Sequence, residues 1–145
     1  MNERSFYKTL GWIVAGFFLA GSACARHRKM IHIDAHSSGQ QVSLRVGDTV
    51  EISLAENPTT GFRWDLQSKA EPACKLLKSS FEPAKVVPGR GGTHFWQFQA
   101  VQAGTGKIEL EYRRPWEQDS PPSRVFTLSI HVLEEASPQN SKPSE

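Results

Sequence analysis

The chain has only two cysteines, Cys24 and Cys74, in 145 residues. That excludes a disulfide-dense scaffold and a four-thiolate zinc site. An excess of one charge is also missing: 17 Lys+Arg against 15 Asp+Glu leave a net charge of +2. The basic residues form no long run, so the electrostatic footprint of a nucleic-acid-binding protein is absent. There is no Gly-x-Ser-x-Gly elbow, no His-Glu-x-x-His, no Walker loop and no Rossmann glycine pattern. The glycine-rich run Pro88-Gly89-Arg90-Gly91-Gly92 is followed by neither Lys-Ser/Thr nor a helix, so it is not a phosphate cradle. No enzyme activity, cofactor or catalytic residue is expected. No stretch has a 3.6-residue apolar period with a cap, and none repeats at a solenoid or propeller spacing.

Hydrophobic residues make up 38% of the chain and charged residues 22%, enough apolar side chain for a core. The length allows one domain with tails. Residues 1–25 read as a signal peptide: Arg4 and Lys8 precede an uncharged stretch from Thr9 to Ala25 that ends in small residues. A retained anchor helix is the competing reading, but the apolar run is short for a membrane span. Two cuts fit. Ala23-Cys24-Ala25 suits cleavage after Ala25. Gly21-Ser22-Ala23-Cys24 resembles a bacterial lipoprotein signal with Cys24 lipidated, although Gly21 stands where Leu is usual. Either places the mature protein outside the cytoplasm, in the periplasm, on the envelope or secreted, and touching membrane only through Cys24. Cys74 then has no intramolecular partner and reads as a small buried side chain. Residues 137–145 hold two prolines and no apolar residue and read as a disordered tail. The folded domain is 26–136.

Its apolar pattern has period two. Val50, Ile52 and Leu54 alternate with polar residues, as do Phe62, Trp64 and Leu66. The same holds for Trp96, Phe98 and Ala100, for Ile108, Leu110 and Tyr112, and for Phe126, Leu128, Ile130 and Val132. Alternation buries one face of a strand and wets the other. Turn chemistry separates the runs at Gly47-Asp48, Asn57-Pro58, Pro88-Gly89, Ala103-Gly104 and Pro121-Pro122. The expected fold is all-β: an immunoglobulin-like antiparallel β-sandwich of seven to eight strands. Trp64, Trp96, Phe98, Tyr112 and Phe126 are expected to carry most of the buried area.

One cluster resembles a metal site. On a strand, His32, Asp34 and His36 would share a face. A solvated edge-strand face, backed by Ile31, Ile33 and Ala35, is the favoured reading, and no metal is expected.

The unusual residues lie in three connections. In Asn57-Pro58-Thr59-Thr60-Gly61-Phe62, Pro58 fixes one φ and restricts Asn57, Gly61 permits a positive φ, and two threonines lie between. The expected product is a stiff, narrow, polar finger. Gly89, Arg90, Gly91 and Gly92, leading into Thr93 and His94, form a mobile arm able to lie along another protein. Arg114, Pro115 and Trp116 place an indole in a polar loop, where Trp and Arg favour interface hot spots. Pairs of strands separate the three connections, so all should emerge at one end of a sandwich.

These three segments, in this order, resemble the motifs of the chagasin-type inhibitors of papain-like cysteine proteases. The resemblance runs from about Val42 to Val132. It implies a disulfide-free sandwich, a monomer, that binds papain-like enzymes tightly and reversibly. It further implies that Asn57 to Gly61, with Phe62 where the family often has Tyr, enter the cleft. Trp116, with Arg114 and Pro115, covers the primed side, and the glycine-rich loop with Arg90 and His94 follows the unprimed side. Of the doubled Arg113-Arg114, Arg114 is the arginine expected to serve. The competing class is a non-inhibitory envelope adhesion or assembly module. Composition fits it equally, and the three loop motifs argue against it.

Overall fold

The computed structural model describes residues 28–85, 91–117 and 119–134. The signal segment with Cys24, the loop residues Gly89 and Arg90, and the tail 137–145 lie outside the described residues. The strands are β1 (Met30–Ile33), β2 (Gln41–Arg45), β3 (Thr49–Glu56), β4 (Arg63–Lys69), β5 (Cys74–Pro83), β6 (Gly92–Ala100), β7 (Gly104–Arg113) and β8 (Arg124–Leu133). The only helical pieces among the described residues are 3-10 turns at Ala35–Ser37 and Pro58–Thr60. Two four-stranded sheets form, in the orders β1-β3-β6-β5 and β2-β8-β7-β4.

The expected all-β sandwich is present, with one difference in pairing. β1 joins β3, and β2 joins β8, in parallel, while the other pairs are antiparallel. A simple parity accounts for this. Each short turn reverses the chain, so strands an even number of steps apart run the same way. β1 and β3 are two steps apart because the chain visits the other sheet as β2 between them. Which strands end up as neighbours depends on long-range packing, which alternation in the sequence does not report.

The buried set follows period two. Val50, Ile52 and Leu54 of β3 meet Trp96, Phe98 and Ala100 of β6 in one sheet. Across the sandwich lie Ile108 and Leu110 of β7 and Phe126, Leu128, Ile130 and Val132 of β8. Trp64 differs from expectation. Its strand is the outer one of its sheet, so the indole is only half-buried. Its Nε1–H donates to the Ala55 carbonyl (3.0 Å), linking β4 to β3 of the opposite sheet. The outer strands β4 and β5 each carry a register shift, at Leu66/Ser68 and Leu76/Lys78. Such irregularities discourage edge-to-edge pairing with another molecule.

Cys74 opens β5 and is buried, and burial pushes its thiol up to about 11. At neutral pH it is a protonated apolar side chain. The His32/Asp34/His36 face does not form, because β1 ends at Ile33. Asp34 instead caps the next turn, its Oδ1 accepting the His36 N–H (2.9 Å), and His32 Nδ1 lies 3.0 Å from Glu51. Among the described residues no three metal-ligating side chains cluster, and no helix is long and apolar enough to cross a membrane.

Candidate functional site

Strand register brings the three connections to one end. Glu56, the last residue of β3, lies opposite Gly92, which in turn lies opposite Pro83 at the end of β5. Arg63, the first residue of β4, lies opposite Arg113, and Tyr112 opposite Arg124. The β3–β4, β5–β6 and β7–β8 connections therefore share one tip. The β2–β3, β4–β5 and β6–β7 turns share the opposite pole.

The β3–β4 connection is a single 3-10 turn built by its own side chains. Asn57 Oδ1 accepts the Thr59 N–H (3.3 Å) and the Thr59 hydroxyl (2.6 Å). The Asn57 carbonyl accepts the Thr60 N–H (3.2 Å) and the Thr60 hydroxyl (2.7 Å). Pro58 starts the turn, and Gly61 closes it at φ +79, its N–H donating to the Pro58 carbonyl (3.0 Å). A positive φ of this kind strains any residue with a Cβ. Each polar group named here is engaged within the turn, and the turn's outer surface is Thr59 and Thr60.

Two neighbours hold this turn. From below, the Tyr112 hydroxyl accepts the Asn57 N–H (3.1 Å), and Phe62 stacks on the Tyr112 ring at 5.3 Å. From the side comes the β7–β8 connection. The Arg114 guanidinium lies 4.5 Å over the Phe62 ring, its Nε–H donates to the Thr60 carbonyl (3.4 Å), and Nη1 bridges to Glu117 (3.0 Å). Trp116 covers Gly61 so closely that a Cβ there would meet Cη2 and come within 3.0 Å of Cζ2. The indole is nevertheless 69% exposed. Pro115 is exposed beside it. Arg113 stays on the sheet, paired with Glu111 (3.2 Å), so of the two arginines it is Arg114 that reaches the tip.

The β5–β6 connection is described only at its end. Gly91 (φ +77) lies against β3: a Cβ there would come within 2.9 Å of the Asn57 Cα. Its carbonyl accepts the Ala84 N–H (2.9 Å). A Cβ on Gly92 would sit 2.8 Å from the Pro83 Cα. These two glycines answer to close backbone approach, whereas the composition of the loop read as mobility. Thr93 and His94 belong to β6. The His94 ring turns inward: Nδ1 lies 3.1 Å from Glu56 Oε2, Nε2 lies 2.8 Å from Ser79 Oγ, and the ring stacks on Trp96 at 4.0 Å.

Glu56 was not singled out by sequence reasoning. It is the one buried charged residue among the described residues, and its Oε2 also accepts the Trp64 N–H (3.2 Å). A signal existed. Glu56 falls in the buried phase of Val50, Ile52 and Leu54, and a carboxylate there requires partners. The tip holds one hydroxyl beside a base, Ser79 Oγ at 2.8 Å from His94 Nε2, on an imidazole that stacks on Trp96 and meets Glu56. What it presents outward is a turn closed by its own hydrogen bonds, an exposed indole and an arginine fixed against the turn, which is the composition of a binding surface.

The chain matches the model of the Chagasin family peptidase inhibitor I42 over residues 43–130. Chagasin from Trypanosoma cruzi is 36% identical over 101 residues, covering 66% of this chain and 91% of that protein. Among solved structures, a p53 epitope scaffold based on an inhibitor of cysteine proteases is 28% identical with a TM-score of 0.51, over 70% of this chain and 99% of that one. The crystal structure of the cysteine protease inhibitor EhICP2 from Entamoeba histolytica superposes with a TM-score of 0.66 at 22% identity, over 74% of this chain and 98% of that one, a likeness of fold.

Proposed function

We propose, on the premise that this chain belongs to the chagasin family of peptidase inhibitors, that it is a reversible inhibitor of papain-like cysteine proteases acting through its tip. The observation that carries this reading is the Asn57–Gly61 turn, closed by its own hydrogen bonds and clamped under Trp116. A cysteine protease cuts when a scissile carbonyl is delivered to its thiolate and oxyanion donors, with the chain extended through the cleft. A 3-10 turn fixed by Pro58 and Gly61 cannot extend without losing its bonds to Asn57, so it fills the cleft and is not hydrolysed. Because the turn is ordered before contact, little ordering cost remains to oppose binding.

In this reading Asn57, Pro58, Thr59, Thr60 and Gly61 enter the cleft with Phe62 packed beneath them on Tyr112. Arg114, Pro115 and Trp116 cover one side, and the loop from Gly89 through Thr93 covers the other, with His94, expected among its contacts, turned inward behind it. The protein works outside the cytoplasm, exported by residues 1–25, either released or held by a lipid on Cys24. Cys24→Ser is then expected to move an anchored protein into the soluble fraction.

The test is the activity of papain on a fluorogenic peptide as residues 26–145 are added. Activity is expected to fall to the baseline while trypsin is untouched. Papain activity unchanged at a large molar excess overturns the proposal.

A further inference from the structure

We infer that Glu56 and His94 are positioning residues that clasp the stems of two inhibitory loops together, so that the Asn57–Gly61 turn is set for binding from beneath by groups that never touch the protease. The inference rests on the inhibitory reading of the tip.

The geometry is a closed clasp. Glu56 is the last residue before the turn, and Trp64 lies just after it. Glu56 Oε2 accepts the Trp64 N–H (3.2 Å), tying one stem of the loop to the other. The same oxygen meets His94 Nδ1 (3.1 Å), two residues past Gly92, so the stem of the glycine-rich loop joins the same point. Ser79 of β5 holds the far side of the imidazole (2.8 Å), and Trp96 stacks on its face. The Glu56 side chain is 5% exposed and that of His94 is 19% exposed.

The chemistry of the position argues for a role beyond filling the core. A buried carboxylate carries a desolvation cost, and an apolar side chain in phase with Leu54 would avoid it. With Nδ1–H donating to Glu56, Nε2 of a neutral His94 accepts from the Ser79 hydroxyl. When His94 is protonated, Nε2–H donates to the Ser79 oxygen instead. The clasp is therefore satisfied in either state of the ring. Glutamine at 56 keeps an oxygen that accepts from both Trp64 and His94, whereas alanine leaves both donors unpaired.

The experiment measures two things on residues 26–145. The strands of this unit match 98% and 99% of the length of two solved chains, so it corresponds to a whole folded domain. The first readout is the inhibition constant for papain, taken where circular dichroism shows each variant folded. Glu56→Ala is expected to raise it about tenfold or more, as loss of partners for buried groups does. Glu56→Gln is expected to stay within about threefold of the parent. His94→Ala, the milder variant should Glu56→Ala fail to fold, is expected to raise it by a smaller factor, with no further loss when both changes are combined. The second readout needs no protease: amide hydrogen exchange at Thr59, Thr60 and Gly61, whose N–H groups are bonded inside the turn. Exchange there is expected to quicken in Glu56→Ala, or in His94→Ala if only that variant folds, to recover in Glu56→Gln, and to leave Leu110 and Leu128 unchanged. An unchanged turn, or an increase spread evenly over the domain, overturns the inference. If the parent does not inhibit papain, the inhibitory reading fails and the exchange measurement decides the clasp by itself.

Discussion

Each pole of the sandwich has a loop tied by an Asp or Asn side chain, yet only one has the character of a binding surface. At the pole away from the tip, Asp48 does the tying. Its Oδ1 accepts the Lys29 N–H (3.0 Å) and its Oδ2 the Arg45 N–H (2.9 Å), while the Gly47 N–H donates to Ala100 (2.8 Å). What that pole exposes is non-aromatic apolar side chains, among them Met30, Val46, Val101 and Leu133. At the tip, Asn57 ties the turn in the same manner, but an indole lies on the turn and an arginine is wedged against it. Rigid loops are thus a general product of Asn and Asp side chains bonding nearby backbone. Rigidity combined with an exposed aromatic marks function. The difference also explains why Trp116 pays no obvious dividend to the core: its support is Gly61, a residue of the site itself.

Substitutions can break this comparison. The largest effect is expected on stability, from Trp64→Ala, which removes the half-buried indole, its 5.0 Å contact with Tyr112 and its bond to Ala55. The cost should be about 3 kcal/mol, the low end for a large aromatic, since the strand is an outer one. Urea denaturation measures it, and a loss under about 1 kcal/mol would remove Trp64 from the frame of the tip. Gly61→Val comes next. It forces a Cβ into Trp116 at a positive φ, so papain affinity should fall about 100-fold while the strands stay folded. Trp116→Ala should lose roughly 30-fold in affinity, the effect of a hot-spot tryptophan worth about 2 kcal/mol, with a melting temperature close to the parent's. If it melts early instead, the indole is core and not contact. Asp48→Ala is the control for the other pole. It should cost about 1–2 kcal/mol in stability and leave the inhibition constant unchanged. Near neutral pH the smallest effect belongs to Cys74. With its thiol pushed up to about 11 by burial and the unfolded thiol ionising near 8.5, its contribution to stability should be constant below the lower value and be lost as pH rises between the two. Ellman's reagent at pH 8 should not modify the folded domain.

Much of this was legible in the residues, for a physical reason. Alternation is a local consequence of pleating, so Val50–Leu54 and Phe126–Val132 announce their strands and their buried faces. The shared tip follows from counting reversals, and Pro58 and Gly61 announce the turn between them. What was hidden depends on partners distant in sequence. The parallel β1–β3 and β2–β8 pairs arise from which strands meet. The half-burial of Trp64 arises from β4 ending its sheet. His32, Asp34 and His36 shared a face only while β1 was assumed to run past Ile33. Gly91 and Gly92 read as mobility, because composition does not show that Asn57 and Pro83 press against them. Glu56 was the one local clue left unread, a carboxylate in step with a buried row.

The central claim is that a turn closed by its own hydrogen bonds fills a protease cleft without being cut. It is tested most directly by incubating residues 26–145 with active papain, titrating residual activity, and weighing the recovered inhibitor by mass spectrometry. The account predicts loss of activity near one inhibitor per enzyme and an inhibitor intact from Asn57 through Phe62. A progressive return of activity, with fragments cut between Asn57 and Phe62, would contradict it.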